Sequence, residues 1–221
     1  MCGRHFLNDE KISTIEAAIK SAEAHTSCEI VPILAASSDK YLHASYLFGF
    51  ILALSTYILV MIFTPYAATD HWDALTFWEY HSLLMIGMVA SFILGACISQ
   101  YIPWLKLPFL SKDEMRLQVQ RSARQAYFDL CRGGTQEDTG IIIFVSLFEH
   151  TVIILGDNTV SKKIAQEEWD EIKDLMLIQL KNGALADAFC EGILKTGTLV
   201  KDRLPIKESD VNELPNKLHF L

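Results

Sequence analysis

Two apolar stretches without a charged residue, Ala44–Thr69 and Ser82–Leu105, constrain this chain more than any other feature. A helix that crosses a bilayer needs about 20 apolar residues, because each adds about 1.5 Å towards a hydrocarbon core about 30 Å thick. Tyr46–Tyr66 and Leu83–Pro103 both reach that length. A soluble helix that long carries a polar stripe, and neither segment has one. The remaining sequence must supply a domain of its own. Without residues 41–105 about 150 residues are left, the size of one compact domain. Across all 221 residues, 51% are apolar and 21% charged, with a mean hydropathy of +0.23. That composition excludes collagen-like, disulfide-scaffold and wholly disordered chains. A net charge of −8 leaves no basic footprint, so nucleic acid is not an expected partner.

Charge placement predicts an orientation. The stretch between the spans, residues 67–82, carries Asp70, Asp73 and Glu79 but no lysine or arginine. On the other side lie Lys40 before the first span and Lys106, Lys112, Arg116, Arg121 and Arg124 after the second. Basic residues near span ends stay cytoplasmic, which puts both termini on the cytoplasmic side of an inner (cell) membrane and the loop outside. Tyr66, Trp72, Trp78 and Tyr80 form the expected outer aromatic belt, with Tyr41, Tyr46, Tyr101 and Trp104 as the inner one. Neither span holds a charged residue, so no ion pathway or proton relay of the usual kind is indicated. Gly49, Gly87, Ala90, Ser91 and Gly95 allow close helix packing. They suit a tight hairpin or a homo-oligomer without choosing between them. The N-terminal residues Met1–Glu10 lack the apolar core of a signal peptide, so the internal segments are expected to drive insertion.

The five cysteines, Cys2, Cys28, Cys97, Cys131 and Cys190, are odd in number and widely spaced. They read as reduced thiols packed as small hydrophobes, with no zinc ribbon or disulfide framework.

The polar part reads as alternating elements. Asn8 is placed to cap a helix whose first turn holds Asp9 and Glu10, followed by Ile12, Ile15, Ile19 and Ala22 at helical spacing. Glu29–Leu34 reads as a strand whose Pro32 argues for an edge position or an early end. After the spans, Ser111 and Glu114 form a capping-box pattern for a helix over Lys112–Leu130, which Gly133-Gly134 ends. Ile141–Leu147 is a near-continuous apolar run, typical of a strand covered on both faces. Phe148–His150 links it to a partner strand, Thr151–Leu155. Helices over Ser161–Leu180 and Leu185–Leu204, separated by Asn182-Gly183, lead to an extended tail, Asp210–Leu221. The predicted fold is therefore α/β: a small mixed sheet flanked by helices and interrupted by a two-helix transmembrane hairpin. Its discontinuous domain spans 1–40 and 106–221, with spans at 44–66 and 83–103 and an external loop at 67–82.

Four pieces of this sequence resemble one family. Glu29-Ile30-Val31 follows Thr26-Ser27, the run TGIIIFVSLFEHTVIILGD covers 139–157, Trp169 precedes Ile172, and NELPNKL covers 212–218. Together they look like the TPM domain, in its bacterial membrane-bound branch, over most of residues 5–39 and 108–221. The resemblance implies an α/β fold around a small sheet. It also implies similarity to domains of photosystem repair, of receptor-auxiliary membrane proteins and of acid phosphatase activity. Two positions depart from the family pattern. Cys28 and Thr159 stand where glycine is usual, and Asn158 is the neighbour best able to take up a positive φ.

One constellation has chemical potential. If the first two strands run parallel, Glu29, Asp138 and Asp157 gather at the sheet end farthest from the membrane. With Asn158 they offer oxygen ligands suited to Ca²⁺ or Mg²⁺. A divalent-metal-dependent phosphatase is one consequence, with Lys162 and Lys163 as the nearest groups able to neutralise developing charge. The other reading is a membrane-anchored binding or assembly and maintenance module for membrane proteins, for which no catalytic residue is assigned. Lys106, Lys112 and Arg116 are expected at anionic headgroups, each worth about 1 kcal/mol. His25 and His150 read as surface histidines, and Asp70, His71, Asp73, Glu79 and His81 as an unpatterned acidic loop. Ser146 lacks a nucleophile elbow, and no P-loop or dinucleotide fingerprint occurs.

Overall fold

The computed structural model describes residues 6–63, 77–131, 139–206 and 214–221, residues 77–80 by their helical backbone alone. The outer-loop residues Asp70, His71 and Asp73, the side chain of Glu79, Asp138, Gly133-Gly134, Cys2, and Asn212 and Glu213 of the closing motif lie outside this set. The chain falls into two compact units, residues 1–39 with 113–221, and residues 40–112.

The first unit is built on a four-stranded sheet of order β3-β2-β1-β4. Strand β1 (Glu29–Ala35) pairs in parallel with β2 (Gly140–Ser146), Glu29 opposite Gly140 and Ala35 opposite Ser146. Strand β2 turns back into antiparallel β3 (Thr151–Gly156). Side chains alternate between the faces of a strand, and both faces of this sheet are covered. Ile30, Leu34, Ile141, Ile143, Val145 and Val152 pack with α1 (Asp9–Glu23), α6 (Gln166–Lys181) and α7 (Leu185–Lys201). Val31, Ile33, Ile142 and Phe144 pack on the opposite side with Val119, Ala123 and Ala126 of α4 (Lys112–Leu130). Every residue of β2 is buried, which is why its sequence is apolar from Ile141 to Val145.

The tail contributes a strand the sequence did not announce. Strand β4 (His219–Phe220) pairs in parallel with Ile33 and Leu34, so β1 is not an edge strand in sheet order. Pro32 is tolerated for a local reason. Leu34 accepts from the Leu221 N–H and Ala36 donates to the Leu221 carbonyl. Peptide groups two apart in a strand face the same side, so the N–H that Pro32 lacks would point to that side too, before β4 begins. No ladder bond is lost there.

Other expectations shift by local chemistry. Asn8 is the N-cap of α1 but makes no side-chain cap bond. The helix expected to start at Ser161 is two elements. A single turn, α5 (Asn158–Ser161), is capped by Asp157, and α6 starts five residues later. Its Glu168 reaches back to the Ala165 N–H, 3.1 Å away. Gly183, at φ 75°, ends α6 in the left-handed conformation that favours glycine. Asn158 does not have a positive φ; the two such non-glycine residues among those described are Tyr41 and His150. Thr159 therefore fits inside one turn of helix.

The second unit is a helical hairpin of α2 (Leu42–Phe63) and α3 (Phe77–Tyr101), followed by a 3-10 turn, Pro103–Phe109. Of these, Leu42–Phe63 and His81–Tyr101 are long and apolar enough to cross a membrane. The helices meet through glycine. A β-carbon on Gly49 would come 2.7 Å from the Phe92 carbonyl oxygen, whereas one on Gly87 would meet nothing within 4 Å. Thr56 Oγ1 bonds Ser91 Oγ at 3.0 Å, and Tyr46 stacks on Phe92. Gly49 and Gly95 are thus used inside the hairpin. Tyr41 is fully buried rather than part of an inner aromatic belt.

Candidate functional site

The acidic end of the sheet is organised around Gly140. Glu29 lies opposite it in register, and its carbonyl accepts the Asp157 N–H at 3.0 Å. The parallel pairing expected from the sequence therefore holds, and it brings Glu29 and Asp157 to the same end of β1 and β2. A β-carbon at Gly140 would approach Cys131 Cβ to 3.2 Å, so glycine lets the thiol pack directly on the strand. Burial pushes the Cys131 thiol up to about 12, and the charges of Asp157 and Glu29 add to the rise. Cys131 is a structural thiol, since at that value no thiolate forms near neutral pH. Cys28, Cys97 and Cys190, like Cys131, form no disulfide among the described residues.

A residue missed by the sequence reading joins this end. Glu23, in the last turn of α1, accepts the Ile30 N–H at 2.8 Å. That amide points to the open side of β1, beyond the reach of β4, so Glu23 satisfies a sheet-edge donor. Its other oxygen, Oε2, is buried with no hydrogen-bond partner among the described residues. Burial, with the charge of Glu29, pushes the Glu23 carboxyl up to about 8 against the pull of the Ile30 N–H. One signal was available: an acid in the last turn of a helix opposes the macrodipole, and Glu23 holds that position.

Asp157 accepts from the Asn158 N–H at 2.6 Å, as the cap of α5. Asn158 is exposed at the start of that turn. Lys163 donates to the Arg203 carbonyl at 3.1 Å and Lys162 caps α5. Among the described residues, no three histidine, cysteine, aspartate or glutamate side chains converge with the spacing of a metal site. Asp138, the fourth expected ligand, is outside those residues.

At the opposite, carboxyl end of the parallel strands lies a second polar group that the sequence did not mark. Glu149, in the β2–β3 link, accepts from Ser146 Oγ and from the Ser38 N–H at 2.9 Å. Ser37 Oγ approaches the same carboxylate at 3.3 Å, and Ser38 Oγ bonds Ser146 Oγ at 3.0 Å. Ser146 and Glu149 are buried. The network ties the exit of β1 to the turn after β2, and Ser146 serves as a donor within it. No histidine contacts the Ser146 hydroxyl in these bonds.

The basic residues separate. Lys112 and Arg116 are exposed, but Lys106 is buried and its ammonium donates to the Lys40 carbonyl at 2.8 Å.

No family model and no curated protein sequence matches this chain. Among solved structures it is similar to the BA42 protein of the psychrophilic bacterium Bizionia argentinensis, determined by NMR, with a TM-score of 0.56 and 20% identity over 97% of this chain and 94% of that one. At that identity the likeness establishes a shared fold.

Proposed function

We propose that this chain is a membrane-anchored α/β domain of TPM type. In this reading α2 and α3 span an inner membrane, both termini are cytoplasmic, and the sheet domain binds other membrane proteins during their assembly or maintenance. The observation that carries the anchor is the surface of the hairpin. With the two helices packed on each other, Phe50, Leu54, Ile58, Ile62, Met85, Ile86, Val89 and Ile93 remain exposed. An apolar surface of this extent far exceeds what a monomer leaves in water, and lipid is the solvent that suits it. The acidic loop against the flanking lysines and arginines supports the orientation. Exposed Lys112 and Arg116 support contact with anionic headgroups. The sequence resemblance supports the domain type, the fold shared with BA42 supports its α/β sheet, and the binding role rests on the anchor and the acidic surface rather than on the fold.

Co-purification of the full chain in mild detergent, beside the Glu29→Gln, Asp157→Asn double variant, tests the module reading. A membrane-protein partner retained by the parent and lost by the variant supports it; a parent that carries no partner counts against it. A divalent-dependent phosphatase at the acidic end remains the second reading, favoured by the shared position of Glu29 and Asp157. Calorimetric titration of Ca²⁺ and Mg²⁺ into the parent and into Asp157→Asn decides it. Binding by the parent alone, with metal-dependent phosphate release, supports that reading, and absence of binding removes it.

A further inference from the structure

The 3-10 turn that follows α3 has an unusual distribution of side chains. It packs against both α2 and α3, closing the base of the hairpin. Residues three apart eclipse one another in 3-10 geometry. Trp104 and Leu107 therefore share one side, and Tyr101, the last residue of α3, precedes them across the non-helical Ile102. All three are exposed, at 67%, 45% and 81%. Lys106 is the single charged residue between Ser82 and Ser111, and it points the other way. It is 8% exposed, with its ammonium on the Lys40 carbonyl 2.8 Å away. The turn thus shows an uncharged ridge of tyrosine, tryptophan and leucine while its cation is spent inside the protein.

We propose that Pro103–Phe109 is an interfacial foot: Tyr101, Trp104 and Leu107 lie in the headgroup boundary of the bilayer, and Lys106 locks the two ends of the hairpin together instead of binding lipid charge. The occupant is a lipid surface because the ridge follows the apolar side chains of α3 along the chain and begins at its last residue, where hydrocarbon gives way to headgroups. Tryptophan and tyrosine favour that depth, since their rings are apolar and their N–H or O–H groups need polar partners. With no charge presented, the foot engages zwitterionic and anionic lipid alike. This inference rests on the membrane reading of α2 and α3.

The test uses the full chain reconstituted in phosphatidylcholine vesicles and in an equal mixture of phosphatidylcholine and phosphatidylglycerol. The difference in tryptophan emission between the parent and Trp104→Phe isolates the Trp104 signal. That signal is expected to be quenched more strongly by lipid brominated near the headgroup than near the chain end, and equally in both vesicles. Quenching by aqueous acrylamide, with none by brominated lipid, overturns the foot. Carbonate washing of the same vesicles separates the two ideas: release of the protein defeats the membrane reading itself, whereas retention with a water-exposed Trp104 defeats only the foot. Lys106→Met supplies the second arm. It is expected to lower the melting temperature by the same amount in both vesicles. A loss confined to the anionic vesicles would show Lys106 to be a headgroup ligand and overturn its role as a lock.

Discussion

Gly95 faces Gly49 across the hairpin so closely that a β-carbon on Gly95 would lie 2.9 Å from the Gly49 Cα. Backbone, unlike the end of a flexible side chain, cannot move aside for an added methyl group. Gly49→Ala and Gly95→Ala are expected to destabilise the hairpin by about 1–3 kcal/mol through overpacking. Gly87→Ala, which meets open space inside α3, should lose nothing and gain up to about 1 kcal/mol in helix propensity. Unfolding of the three variants in mixed micelles checks the order, and a Gly87 variant as damaged as the other two would refute the packing argument.

Two glycines of α7 make a finer comparison. Replacing glycine by alanine inside a helix gains about 1 kcal/mol in propensity, so the sign depends on what the new methyl meets. At Gly192 it meets the Met176 side chain, which is flexible but fully buried and must repack to make room. At Gly197 it meets Ala22 Cβ at 2.7 Å and Ala22 Cα at 3.0 Å, which cannot. Gly192→Ala should lose less than Gly197→Ala, which should lose about 1–2 kcal/mol after the propensity gain. Paired denaturation midpoints decide between them.

Glu23 makes stability depend on pH. Its carboxyl stands above the ordinary 4.5, pushed up to about 8 by burial, so the folded state holds this proton more tightly than the unfolded chain. The associated stability is complete below about pH 4.5 and is lost as pH rises through about 8. Glu23→Gln keeps an acceptor for Ile30 and cannot ionise. Its stability should therefore fall less than the parent's between those pH values. Partial exposure screens the effect, which makes the expected flattening about 1–3 kcal/mol. Chemical denaturation of both proteins across the pH range measures it, and parallel curves would disprove the assignment.

Glu149 holds three donors from two segments. Glu149→Ala strands buried Ser146 and the Ser38 amide, at a cost of about 1–3 kcal/mol. Ser146→Ala removes one donor and leaves the carboxylate bonded to the Ser38 N–H, so its cost should be smaller. Amide hydrogen exchange at Ser38 should rise for the glutamate variant alone. Equal exchange in both variants would contradict this division of roles.

The legible parts of this protein were the local ones. Ile141–Val145 announces a doubly covered strand because burial on both faces demands apolar residues at every position, and that demand is written in consecutive residues. Ile15, Ile19 and Ala22 announce a helix by spacing alone, and all three are buried. The shared end of Glu29 and Asp157 was conditional on parallel β1 and β2, which the long connection between them allows but does not fix; the short link between β2 and β3 alone dictates a direction. Glu23 and Glu149 were missed as members of polar clusters. Their partners, Ile30 and the Ser37–Ser38 pair, depend on where a helix end and a turn come to rest, and no spacing in the chain encodes that.

The division is therefore physical. Apolar content and periodicity, which act through each segment's own transfer from water, determined the two long apolar helices and the order of helices and strands. Register, edge pairing and the direction of single side chains were decided only in three dimensions. Strand β4 settles beside Ile33 and Leu34, the side on which Pro32 lacks a donor is left open, and Lys106 turns from the surface to the Lys40 carbonyl. The first and last of these satisfy polar groups whose partners lie dozens of residues away, and hydrogen-bond demand of that kind is met by the assembled fold rather than by any one stretch of chain.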